Sequence, residues 1–126
     1  MPIELKLKVH KDYLEAEFIG NRDTNDELEE SIELWSKIPA ACDKNGLHRI
    51  IAISRLDKRL TVDNTFVFVD QFKAIGWKPN YKLAGVVFDE KLLLEYELLV
   101  TFINNFGYTC KIFNNMKDAR KWVLQK

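Results

Sequence analysis

The chain has 126 residues, a length that supports one packed core but not two, so a single domain spanning residues 1–126 is expected. Hydrophobic residues make up 47% and charged residues 30%, which excludes a disordered chain; 19 basic against 19 acidic residues leave no net charge to draw it to nucleic acid or an anionic membrane. No run approaches the roughly 18 apolar residues of a transmembrane helix, and MPIELKLKVH alternates where a secretory leader would be unbroken, so the expected location is the cytoplasm.

IELKLKVH, residues 3–10, and YLEAEFI, residues 13–19, both alternate between apolar and polar. A turn at Lys11-Asp12 sets Val9 opposite Leu14, Leu7 opposite Ala16 and Leu5 opposite Phe18. The same register puts Lys8 beside Glu15 and Lys6 beside Glu17 on a wet face. After Gly20, the spacing of Thr24 and Glu27 predicts a capping box opening a helix through DELEESIELWSKI, with Leu28, Ile32, Trp35 and Ile38 facing the core. Pro39 is expected to kink or restart this helix, and Asn45-Gly46 to close it.

LHRIIAIS, residues 47–54, ends in an apolar run suited to a strand covered on both faces. The polar segment SRLDKRLTVDN, residues 54–64, then leads into a helix over TVDNTFVFVDQFKAIG with Thr61 as its N-cap. A turn at residues 77–80 precedes a second buried strand, KLAGVVF, residues 82–88. Asp89 caps a helix through EKLLLEYELLVTFINNFG, which Gly107 stops. YTCKIF, residues 108–113, is a last strand, and Asn114-Asn115 starts a terminal helix in MKDARKWVLQ. The order β-β-α-β-α-β-α-β-α predicts an α/β fold: a single mixed sheet, its later strands parallel, with helices packed upon it.

Chemistry is sparse. Cys42 and Cys110 have no ligand spacing and read as reduced, buried thiols. His10 and His48 stand outside any motif, and no nucleophile elbow, phosphate loop or metal-binding signature occurs, so neither an enzyme nor a cofactor or metal is expected. Glu27, Glu29, Glu30 and Glu33 read as solvent-facing charges favoured by the helix dipole, and Lys117, Arg120 and Lys121 as cations suited to a helix end.

Two features exceed what a core requires. The helices at 62–75 and 90–106 are apolar over about half their circumference or more, wider than one sheet face needs. Their excess packs helix on helix, or forms a groove around Phe66, Phe68, Phe72, Leu98 and Phe102 for a partner, a second copy of the chain or a lipid-like ligand. The segment 54–61 ends a central strand and enters a positive helix N-terminus, bringing Arg55, Lys58, Arg59 and Thr61 as candidates to hold an anion or an acidic protein surface. A solvated loop is the alternative.

The strand RIIAIS, the strand KLAGVVFDE running into a helix, and the ending MKDARKWVLQK with its Ala119, Arg120 and Trp122 together resemble the STAS superfamily, closest to its SpoIIAA-like branch. The resemblance covers nearly the whole chain. It implies a bacterial, non-enzymatic regulatory module that docks a protein partner and is switched by phosphorylation at the start of the helix after the third strand. There the family's antagonists carry Asp-Ser-Ser-Gly, whereas this chain has Leu60-Thr61-Val62-Asp63 with Ser54 earlier, so Ser54 and Thr61 are the phosphorylation candidates. Relatives lacking the motif imply the other expectation, a carrier of an apolar ligand between the two wide helices.

Overall fold

The computed structural model describes residues 3–22 and 25–125. Nine elements follow in the expected order: β1 (Glu4–Val9), β2 (Leu14–Gly20), α1 (Glu27–Asn45), β3 (Arg49–Leu56), α2 (Val62–Asp70), β4 (Lys82–Val87), α3 (Glu90–Asn105), β5 (Thr109–Phe113) and α4 (Met116–Val123). The five strands lie in sequence order in one sheet; β1 is antiparallel to β2 and the rest are parallel. The hairpin adopts the register that its alternation dictates, Val9 opposite Leu14 and Lys6 opposite Glu17. The His10 N–H donates to the Tyr13 carbonyl at 2.9 Å across its turn.

Strands that step steadily in one direction with right-handed crossovers must carry their connecting helices on one face. Accordingly α1, α2 and α3 share a core with Leu14, Ile50 and Leu83, while α4 covers Ile51, Ile53, Ala84 and Val86 on the reverse. Lys82 pins α4 there. Its Nζ donates to the Trp122 carbonyl at 2.6 Å and sits 4.5 Å from the centre of the Trp122 ring. Burial, and then Arg49, lowers its pKa. On that reverse face Lys6 and Lys8 are exposed and Glu15 and Glu17 half-buried, as the alternation requires.

Three boundaries differ from expectation. The helix α1 runs through Pro39 to Asn45 without a break and closes on Gly46, whose φ of 65° is the left-handed conformation that glycine adopts freely. The strand β3 extends two residues into the polar segment, because Arg55 and Leu56 still pair with Ile19 and Gly20 of β2. The helix α2 stops at Asp70, and turns carry residues 71–76. Thr24 lies outside the described residues; the residue before α1 is Asp26, which makes no side-chain capping bond. The most buried stripe of α1 is also rotated, comprising Glu27, Ser31, Ile38, Pro39 and Cys42, with Leu28, Ile32 and Trp35 half-buried beside it.

Both cysteines are buried and free. Burial first and Asp43 second push the Cys42 thiol up to about 11 from 9.0, and burial, then Cys42, pushes Tyr81 up to about 12 from 10.0. Burial alone pushes Cys110 up to about 12. Each folded group therefore keeps its proton where the unfolded chain has lost it, so folding stability is full below pH 9 and falls as pH rises toward 12. Urea midpoints measured across that window are expected to decline steadily; a midpoint that rises would contradict the burial of these groups.

Candidate functional site

A cavity of about 70 Å³ opens between α2, α3 and the sheet. Its origin is a row of small residues. Ala16 faces Ala52, Ala52 faces Gly85, and Gly85 faces Ile112, so three adjacent strands present almost no side chain at one level of the sheet. The rows above and below carry Phe18, Ser54 and Val87, and Leu14, Ile50 and Leu83; of these Phe18, Leu14, Ile50 and Leu83 pack into the core shared with the helices. Phe68 of α2 and Tyr96, Leu99 and Ile103 of α3 roof the gap without filling it. Side chains in a close-packed interior rarely leave space beyond one water, so this gap is unusual.

Several polar side chains line the cavity. Ser54 Oγ lies 3.1 Å from Tyr96 Oη, and Tyr96 Oη is 3.5 Å from the Lys58 carbonyl. Thr65 Oγ1 donates to the Thr61 carbonyl at 2.7 Å. Arg22, Arg59 and Glu95 complete the rim. Arg22 clamps the loop there: its N–H donates to Asp57 Oδ1 at 2.9 Å, its Nε to the Lys58 carbonyl at 2.8 Å and its Nη1 to Ser31 Oγ at 2.8 Å.

The segment 54–61 is divided by the sheet. Ser54 faces the cavity, whereas Arg55, one residue on, points to the opposite face, ion-paired with Glu17 and 4.8 Å from the centre of the Phe88 ring. Arg59 lies at the cavity rim and its Nη1 donates to the Leu60 carbonyl at 2.9 Å. Lys58 is half-buried in the loop between them. The expected joint cationic surface of Arg55, Lys58 and Arg59 is therefore not assembled, because strand alternation sends Arg55 away from Arg59.

The N-terminus of α2 is likewise occupied. Thr61 caps it as expected, accepting from the Asn64 N–H at 3.3 Å. The main acceptor, however, is Glu27 of α1, whose Oε2 takes the Thr61 N–H and the Asn64 Nδ2, both at 2.9 Å. Glu27 is 2% exposed, so its expected solvent position is overturned. It stands at the positive ends of two helices at once, its own first turn and the start of α2, and this compensates the burial of its charge. The donors that were expected to hold an external anion already hold this internal one. A phosphate on Thr61 would meet the same carboxylate, and Ser54, the other candidate, is bonded to Tyr96.

Of the five groove residues, only Phe68 lines the cavity. Phe66 packs edge-on against Phe102 at 5.8 Å and Phe106 at 5.7 Å, so much of the excess apolar surface is helix-on-helix contact. Phe72 belongs to an aromatic cluster with Trp35, Phe68, Trp77 and Tyr108, and Leu98 is half-buried on α3. Among the described residues no three His, Cys, Asp or Glu side chains converge as metal ligands would, and no helix is long and apolar enough to cross a membrane. A scan of the chain against protein-family models finds no match, and neither does a search of curated proteins.

Proposed function

We propose that the chain is a non-enzymatic binding module of the cytoplasm that holds a small apolar or lipid-like ligand between α2, α3 and the sheet. The observation that carries this reading is the cavity above the small residues Ala52 and Gly85 of adjacent strands, lined mainly by apolar side chains. Its hydroxyls support binding rather than catalysis. Ser54 pairs with another hydroxyl, Tyr96, and Thr65 with a backbone carbonyl, so neither has the adjacent base that a nucleophile requires.

Native mass spectrometry of the protein purified from its own cells tests the reading, with a retained small molecule as the expected result. Gly85→Val supplies the control. A Cβ at Gly85 would meet nothing nearer than Ile112 Cγ1 at 3.8 Å, an ordinary contact, and Gly85 lines the cavity, so the added methyl groups are expected to occupy part of it. Stability is expected to rise by about 0.5–1 kcal/mol, from the reduced entropy of the unfolded chain and the added packing, while the retained molecule is lost. A variant of unchanged occupancy would place the ligand elsewhere.

A second reading follows the resemblance to the STAS superfamily: a regulatory module that docks a protein partner on α2 and the loop before it. It is supported by three apolar side chains exposed on this one short helix, Val62, Phe66 and Val67, with Phe66 49% exposed. Capture of a defined partner that is lost on Phe66→Ala and retained in Gly85→Val would favour it over ligand carriage.

A further inference from the structure

We infer that the ligand is a short-chain aliphatic carboxylate, its tail in the cavity and its charge at Arg59, with Arg22 alongside. This rests on the apolar-ligand reading above and adds a head group and a size to it. The size follows from the cavity, whose 70 Å³ is about half of the roughly 150 Å³ of an apolar cavity known to take benzene. A few methylene groups fill that space; a long acyl chain does not.

The head group follows from the rim. Charged groups that face the cavity are Arg22, Arg59 and Glu95, a net single positive charge. Nearby acids are engaged elsewhere: Glu27 with the start of α2, and Asp57 with the Arg22 N–H. Among the described residues neither guanidinium is ion-paired, and Arg59 spends only Nη1 within the chain, on the Leu60 carbonyl. A guanidinium with free N–H groups beside an apolar space suits a carboxylate, which accepts from two of them in parallel. The Ser54 and Tyr96 hydroxyls also line the cavity but are bonded to each other and to the Lys58 carbonyl, so the charge of the head group falls to the guanidinium.

The test is an NMR titration of the full chain with butyrate, hexanoate and octanoate, and with the alcohols of matching length, followed at the amides of Ala52, Ser54 and Gly85. Hexanoate is expected to bind at least about 10-fold more tightly than hexanol, with affinity levelling off between hexanoate and octanoate as the cavity fills. Arg59→Gln is expected to lower hexanoate affinity about 10-fold and to leave hexanol unchanged. Equal affinity of acid and alcohol in the native protein, or an Arg59→Gln variant that binds hexanoate normally, would overturn the carboxylate assignment and leave the apolar pocket standing. Failure of both series to shift the three amides would overturn the pocket reading with it. Loss of hexanol binding in Arg59→Gln would show that Arg59 shapes the cavity rather than holding a charge, which also defeats the assignment.

Discussion

Phe72→Ala is expected to cost about 3–5 kcal/mol of folding stability, the largest loss of any single truncation considered for this chain. Phe72 is fully buried just beyond α2, and its ring lies 5.0 Å from Trp77, 5.1 Å from Phe68, 5.8 Å from Tyr108 and 6.0 Å from Trp35. One side chain thus joins α1, α2, the turn before β4 and the segment entering β5. The surrounding rings are large and held by one another, so they cannot collapse into the space left behind, and the cavity penalty adds to the lost transfer energy. Urea denaturation measures it. A loss under about 1.5 kcal/mol would mean that the cluster repacks, contrary to its observed interlocking.

Much of the architecture was legible because it rests on local pattern. The hairpin register follows from two alternating runs whose apolar and charged faces agree on one alignment, Leu5 with Phe18 and Lys6 with Glu17. The caps Thr61, Asp89 and Asn115 sit where their short polar side chains reach back to a backbone N–H, a purely local interaction. The end of β3 was misjudged for the opposite reason. Arg55 looks like loop in isolation, yet pairing with Ile19 keeps it in the sheet.

The candidate site was only half legible. The wide apolar faces of α2 and α3 flank the cavity, yet of the five side chains named from them only Phe68 lines it, because periodicity places Phe66 and Phe102 without showing that they meet each other. What makes the cavity is a cross-strand row, and a row requires the parallel register of β2, β3 and β4, which alternation along one strand does not supply. The signal available was the smallness of Ala16, Ala52 and Gly85 on a sheet face that otherwise carries Leu14, Phe18, Ile50 and Leu83. Glu27 was beyond reach, since its burial depends on α1 starting beside the start of α2.

That carboxylate is where the second large effect is expected. Glu27→Ala is predicted to cost about 2–4 kcal/mol, since it removes a charged acceptor from two donors and leaves the Thr61 N–H and the Asn64 amide facing a buried gap. Glu27→Gln retains one oxygen acceptor but sets an amide donor near the other, so about half of the loss is expected. Glu29→Ala, two residues along the same first turn and exposed, serves as the reference and should stay within about 0.5 kcal/mol of the native protein. Hydrogen exchange sharpens the test: the Thr61 amide should lose protection in Glu27→Ala by more than the global destabilisation accounts for, because the bond lost is its own. The loop that Glu27 anchors carries Arg59 and Leu60, both at the cavity, so the same variant is expected to weaken ligand retention while leaving the small-residue floor intact. Equal stability of the Glu27→Ala and Glu29→Ala proteins would show that the buried bonds contribute nothing net, and the two-helix anchor would then be a consequence of packing and not a cause of it.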